Sequence, residues 1–372
     1  MLIGVPKEIK VHEYRVGLAP EGVRVLSARG HRVVVEKGAG AGIAADDSDY
    51  RSAGATIAET PEAVFREAEL IVKAKEPLAR ERALLRPGQA LFTYLHLAPD
   101  AEQTRDLVAS GAIAIAYETV TSPRGGLPLL APMSEVAGRM AIQVAAHHLE
   151  RPHGGRGVLV SGASGVPPAR ILVLGSGVVG SNAARIGIGM GAEVVVLGKS
   201  ADSLWRLSSE LGPRLRTAVS SAETIEAELR GADAVIGAAL VPGALAPKLV
   251  TRAMLSAMKP GAVMVDVAID QGGCFETSHP TTHADPVYEV DGILHYCVAN
   301  MPGAVPRTST YALNHATLPF VTELADRGIA QALRENEHLR NGLNVWRGVV
   351  TRREVAEARG YVYTEPLQAI GA

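Results

Sequence analysis

The six residues Gly175-Ser176-Gly177-Val178-Val179-Gly180 constrain the fold of this chain more than any other segment. The apolar run Arg170–Leu174 leads into them and the small-residue stretch Ser181–Met190 follows, which predicts a strand, a tight glycine turn and a helix. In such a turn Gly175, Gly177 and Gly180 permit the reversal and a close backbone approach, while amides and helix dipole point at a pyrophosphate. A second apolar run, Ala192–Leu197, follows at the distance of a βαβ unit, and that context turns a weak glycine pattern into a dinucleotide-binding one. The acidic residue that ends the second strand of such units and holds the adenosine ribose is absent. Its position is Gly198, followed by Lys199 and Ser200.

At 372 residues the chain is long for one core and suits two α/β domains. Charge is nearly balanced, 37 basic against 39 acidic residues, which supplies no long-range field for nucleic acid or an anionic membrane and favours a small-molecule substrate. Cys274 and Cys297 lack metal-type spacing, so they read as two buried thiols of a cytoplasmic protein and no metal site is assigned. The first ten residues are a short apolar strand followed at once by charge, without the apolar core of a signal peptide. Runs such as Ile113–Ala116 and Val263–Ala268 fall far short of the ~20 residues that cross a bilayer and read as buried parallel strands.

Strands and helices alternate from the start: Leu2–Val5, a helix around Pro20–Ser27, His31–Val35, Ala68–Lys73 and Gln89–Thr93. Turn residues at Thr121–Pro128 end this first unit. Met133–Leu149 has the spacing of a long amphipathic connecting helix, with Ser134 placed to cap it. The glycine-rich segment Gly154–Pro168 reads as a hairpin flap, and strands resume at Ala234–Gly237, Ala262–Val265 and Ile293–Val298. The fold expected is α/β, two Rossmann-like domains with parallel sheets. A dinucleotide-binding domain, 129–305, is inserted into a discontinuous substrate domain, 1–128 plus 306–372, with the substrate cleft between the two.

The chain closely resembles bacterial L-alanine dehydrogenases over nearly its whole length. The resemblance is carried by Gly4–Lys10 with Arg15, Lys73–Pro77, Phe92–Leu97, Leu130–Arg139, Asp266–Cys274 and Val298–Pro302. It implies reversible oxidative deamination of L-alanine to pyruvate and ammonium, hydride transfer to the nicotinamide of NAD, and a homohexamer. Arg15 and Lys75 would then clamp the substrate carboxylate. His96 would shuttle protons to and from the substrate oxygen or nitrogen. Asp270 would orient the water or ammonia that makes and breaks the carbinolamine. Taken singly, Arg15 and Lys75 read equally as solvated surface cations, His96 as a satisfied strand-end histidine, and Asp266 and Asp270 as structural caps. On the cofactor side the resemblance carries Ser134, Gly175, Gly177, Val178, Gly180, Gly198, Ser220, Leu240, Val298, Asn300 and Met301.

Members of that family ordinarily carry aspartate where this chain has Gly198. Such a carboxylate accepts ribose hydrogen bonds worth roughly 1.5 to 3 kcal/mol and repels a 2′-phosphate. Glycine removes both effects, so NADP is expected to be accepted beside NAD, with Lys199 and Ser200 offering charge and a hydroxyl. Lys199 also reads as an ordinary solvated lysine, and Glu193 lies at the wrong end of the strand to substitute. Two other functions fit the fingerprint: a transhydrogenase-type nucleotide-binding subunit and a non-catalytic dinucleotide sensor. Retention of Arg15, Lys75, His96 and Asp270 argues against both.

Overall fold

The computed structural model describes residues 1–239 and 246–371. The chain forms two compact units, Met1–Met133 with Gly303–Ala372, and Ser134–Pro302. In the first unit the strands are β1 (Leu2–Val5), β2 (Arg32–Glu36), β3 (Thr56–Ala58), β4 (Leu70–Val72), β5 (Ala90–Thr93), β6 (Ile113–Ala116), β14 (Leu343–Trp346) and β15 (Val349–Val350). They form one sheet in the order β15-β14-β6-β5-β4-β1-β2-β3. Every residue of β1, β4, β5 and β6 is buried, as expected of parallel strands covered by helices on both faces.

The second unit contains β7 (Arg170–Leu174), β8 (Glu193–Gly198), β9 (Leu215–Val219), β10 (Ala234–Gly237), β11 (Val263–Asp266), β12 (Val287–Val290) and β13 (Ile293–Tyr296). Its sheet runs β12-β13-β11-β10-β7-β8-β9. Both sheets therefore contain the doubly wound 3-2-1-4-5-6 order, in which the chain reverses direction beside the first strand and leaves a crevice at the strand ends. For the first sheet the reversal lies between β1 and β4, and for the second between β7 and β10.

Both sheets are predominantly parallel, as the sequence predicts, and each gains an antiparallel addition at one edge. β12 pairs antiparallel with β13, and β14 pairs antiparallel with β6 and β15. Each added hairpin has a two-residue turn with positive φ at both positions, Asp291-Gly292 (52° and 79°) and Arg347-Gly348 (47° and 95°). That is the backbone twist a tight hairpin requires, and Asp-Gly is among its strongest signals.

Three local expectations also change. The connecting helix spans Ala131–His148, so Ser134 lies inside it and is not its cap. Pro132 explains the earlier start, because a residue without an N–H suits the first helical turn. The helix after the glycine turn begins at Val178 with Gly177 as its N-cap, so the turn delivers its amides directly into the helix. The Gly154–Pro168 segment is no extended hairpin: one antiparallel bridge, Ala163 to Val166, closes a tight turn. Among the described residues no helix is long and apolar enough to cross a membrane.

Candidate functional site

The glycine turn has steric reasons for two of its three glycines. A Cβ on Gly175, whose φ is 124°, would lie 2.5 Å from the Ala238 carbonyl oxygen, and one on Gly180 would lie 1.9 Å from that of Gly175. Among the described residues nothing stands within 4 Å of a Cβ built on Gly177. The described residues make no steric demand there, which suits a turn that a ligand approaches. The helix Val178–Gly189 has no side-chain cap, leaving first-turn amides to an anion, and Val178 is 43 % exposed beside them. These features fit the pyrophosphate of a dinucleotide.

The neighbouring strand ends gather further predicted residues. Gly175 donates to the Leu197 carbonyl at 2.8 Å, and Ser220 donates to that of Gly198 at 3.0 Å. Gly198 closes β8 and is buried, whereas Lys199 and Ser200 are exposed. Ser200 caps the helix Ala201–Leu211, its hydroxyl accepting from the Ser203 amide at 3.2 Å. A Cβ on Gly198 would lie 2.5 Å from Ser176 Oγ, and that hydroxyl is bonded to Ser203 Oγ at 2.6 Å. Ser176 thus occupies room that a side chain at position 198 would need. Nothing in the residue type at position 176 signals this.

Ser134 lies one turn before Gly138, where a Cβ would come 2.3 Å from the Val179 carbonyl, so the two helices cross closely beside the turn. Val298 is buried past β13. Asn300, at φ 68°, accepts from His283 Nε2 at 3.2 Å through its carbonyl, and Met301 is buried. Leu240 lies outside the described residues. Asp270 is exposed on the 3-10 turn Ile269–Gln271 that follows β11. Asp266 holds that loop: its buried carboxylate accepts from the Ala268, Cys274 and Phe275 amides and from Ser278 Oγ. Burial pushes the Asp266 carboxyl up, against the hydrogen bonds that favour its charged form.

In the first unit the loops beyond β1, β4 and β5 carry Arg15, Lys75 and His96 from adjoining strands. The loop after β1 presses onto β4, where a Cβ on Gly17 would stand 2.2 Å from the Val72 carbonyl oxygen. Arg15 is buried, with Nε and Nη2 donating to the Glu13 carboxylate at 2.7 and 2.6 Å and Nη1 3.0 Å from Met133 Sδ. Burial opposes its charge, yet the Glu13 bonds outweigh that and the guanidinium holds its proton more firmly than usual.

Lys75 sits on a loop fixed by Glu8. One Glu8 oxygen accepts from the Ala74 and Lys75 amides at 2.7 and 3.3 Å, and the other accepts from the fully buried Lys73 at 2.9 Å. Lys73 also donates to Glu81 at 2.7 Å, and Thr93 Oγ1 donates to the Lys75 carbonyl at 2.9 Å. Burial disfavours the Lys73 ammonium, but the two carboxylates more than compensate and raise its proton affinity.

His96, exposed three residues past β5, has a φ of 51°. Left-handed backbone at a non-glycine residue costs about 1–3 kcal/mol and persists only where surroundings enforce it. Glu118 does so, accepting from the Leu95 and His96 amides at 3.2 and 2.7 Å, and the ring Nδ1 is 4.0 Å from the same carboxylate. The ring stacks on Tyr94 at 6.0 Å. Arg15, Lys75 and His96 are thus gathered at adjoining strand ends, while Asp270 belongs to the other unit. Of the glutamates that hold them, Glu8 lies within the Gly4–Lys10 segment without an assigned role, and Glu13, Glu81 and Glu118 lie in no motif.

Comparison with known proteins bears on both units. Residues 4–137 match the model of the alanine dehydrogenase/PNT N-terminal domain, and residues 141–353 that of its C-terminal domain. The chain is 58 % identical to the alanine dehydrogenase of Halomonas elongata over 371 residues, covering 100 % of each. Among solved structures, an L-alanine dehydrogenase superposes with a TM-score of 0.93 at 48 % identity, covering 96 % of this chain and 99 % of that one. A transhydrogenase from Sinorhizobium meliloti gives 0.81 at 28 % identity, covering 94 % and 100 %.

Proposed function

The chain belongs to the alanine dehydrogenase/PNT family, and from that premise we propose that it interconverts L-alanine with pyruvate and ammonium using a nicotinamide dinucleotide. The observation that carries this reading is the convergence of Arg15, Lys75 and His96 on adjoining strand ends, each held by hydrogen bonds to a glutamate carboxylate. Arg15 and Lys75 neutralise the substrate carboxylate, and Glu13 keeps the guanidinium fork preset in one orientation. Gly175, Gly177, Val178 and Gly180, with Ser134, Ser220, Val298, Asn300 and Met301, would hold the dinucleotide, which when bound would supply the acceptor or donor of the substrate Cα hydride. Leu240 belongs to the same proposed set.

In deamination, water adds to the iminium carbon left after hydride loss, and Asp270 orients that water. His96 takes a proton from the incoming oxygen and supplies one to the departing nitrogen, so the carbinolamine collapses to pyruvate and ammonium. The reverse direction uses the same groups with ammonia as nucleophile. Both NAD and NADP serve as cofactor in this reading, since Gly198 presents no carboxylate and Lys199 and Ser200 border the same strand end. The reading also includes a homohexamer in the cytoplasm, without nucleic acid or membrane partners.

The direct test supplies pyruvate and ammonium to the purified protein with NADH and NADPH in parallel. Oxidation of the reduced cofactor that requires both substrates is the expected result, and its absence overturns the proposal. His96→Ala and Asp270→Ala should each lower kcat by about 10² or more, the scale of lost acid–base assistance. Arg15→Ala should chiefly raise the KM for pyruvate. Kinetics like the parent's in all three variants would remove these residues from the site.

A further inference from the structure

At the C-terminal end of the helix Ala131–His148 the chain bends into the 3-10 turn Arg151–His153. The Glu150 amide donates to the His147 carbonyl at 3.2 Å, and the His153 amide donates to the Glu150 carbonyl at 3.1 Å. Bonds spaced by three residues wind the backbone at three residues per turn, so side chains at i, i+3 and i+6 eclipse on one face. His147, Glu150 and His153 therefore line up. Their potential ligand atoms all lie within 4.8 Å of one another, and the two imidazoles overlap at 3.7 Å between ring centres.

We propose that His147, Glu150 and His153 bind a divalent transition ion of the zinc class. Two imidazole nitrogens and one carboxylate oxygen are the donors such ions select, whereas magnesium and calcium take oxygen throughout. His153 Nδ1 lies 3.1 Å from the His147 carbonyl and 3.3 Å from Glu150 Oε2. An imidazole that donates one ring N–H to a carbonyl is oriented with its other nitrogen as the ligand, the usual outer support of metal-bound histidine.

The surroundings favour a cation for two further reasons. An 18-residue helix ends here, and its C-terminus carries the negative end of the helix dipole. The turn is already shaped by backbone bonds, by Pro152 and by Gly154 at φ 89°, so little ordering is left for binding to supply. His148, buried and edge-on to His147, has an Nδ1 without a hydrogen-bond partner among the described residues. With water completing the coordination, the ion ties the end of the connecting helix to the turn that follows it.

Titration calorimetry of the chelator-treated full-length protein with zinc chloride tests this. One ion per chain is expected, undisturbed by excess magnesium, together with a rise in Tm. The His147→Gln/His153→Gln double variant should lose that binding, and Glu150→Gln should weaken it by about tenfold or more. These positions lie outside the proposed catalytic groups, so unchanged turnover of the metal-free variants verifies their folding. Superimposable isotherms for parent and double variant, or no zinc uptake by the parent, overturn the proposal.

Discussion

Gly198 shows how one missing side chain reorganises its neighbours. Restoring a carboxylate there ought to grip the adenosine ribose and repel a 2′-phosphate, but Ser176 Oγ stands 2.5 Å from where the new Cβ would go. Gly198→Asp alone must rotate Ser176 and break its 2.6 Å bond to Ser203. The double change Ser176→Gly/Gly198→Asp removes the obstruction. It should favour NADH over NADPH by about tenfold more than the parent does, since one charge-assisted contact is worth roughly 1.5 kcal/mol. The single variant should gain less. Michaelis constants for both reduced cofactors decide the matter, and equal gains in the single and double variants would show that Ser176 is no obstacle. Lys199→Ala should impair NADPH more than NADH, with the difference shrinking as salt rises.

At the scale of elements, the buried group Glu8, Lys73 and Glu81 ties the end of β4 to the loop bearing Lys75. Lys73→Met leaves two buried carboxylates without their cation, a loss of about 3–5 kcal/mol in denaturant unfolding. Gly180→Ala drives a methyl group into the Gly175 carbonyl and should abolish cofactor binding, checked by quenching of NADH fluorescence. These two elements also mark what was readable in advance. The glycine turn declares itself because its demands are local: a strand before, a helix after, and backbone carbonyls that exclude a side chain. Glu81 and Glu118 do not, because their partners come from separate elements and an isolated glutamate looks like solvated surface. Strands β3, β9, β12, β14 and β15 escape the sequence reading because two to five residues carry little periodicity. The two hairpin turns were the available signal. The sequence reading starts that helix at Met133 because a serine near its beginning outweighs Pro132, whereas it begins at Ala131.

At the scale of the whole molecule, both cysteines lie in the Ser134–Pro302 unit and both are buried. Burial pushes the Cys274 thiol up to about 12 and Cys297 to about 11, far above the pH at which thiolates normally form. Neither should react with iodoacetamide at pH 8 in the folded protein, and both should react after denaturation. Modification under mildly destabilising conditions then reports the opening of this unit alone. NADH should slow it by mass action, a result mass spectrometry of the alkylated peptides can read. Equal rates with and without NADH would place dinucleotide binding elsewhere.

The sheet of the other unit is assembled from both ends of the chain, and this matters on the ribosome. β6 is buried along its whole length and pairs with β14, which is synthesised some two hundred residues later. At about 5–20 residues per second, roughly ten to forty seconds pass before that partner emerges. Throughout that interval the nascent chain presents an unpaired apolar strand edge, the template on which polypeptides stick to one another. Covering that edge during translation should therefore raise the yield of active protein without changing the stability of the finished fold.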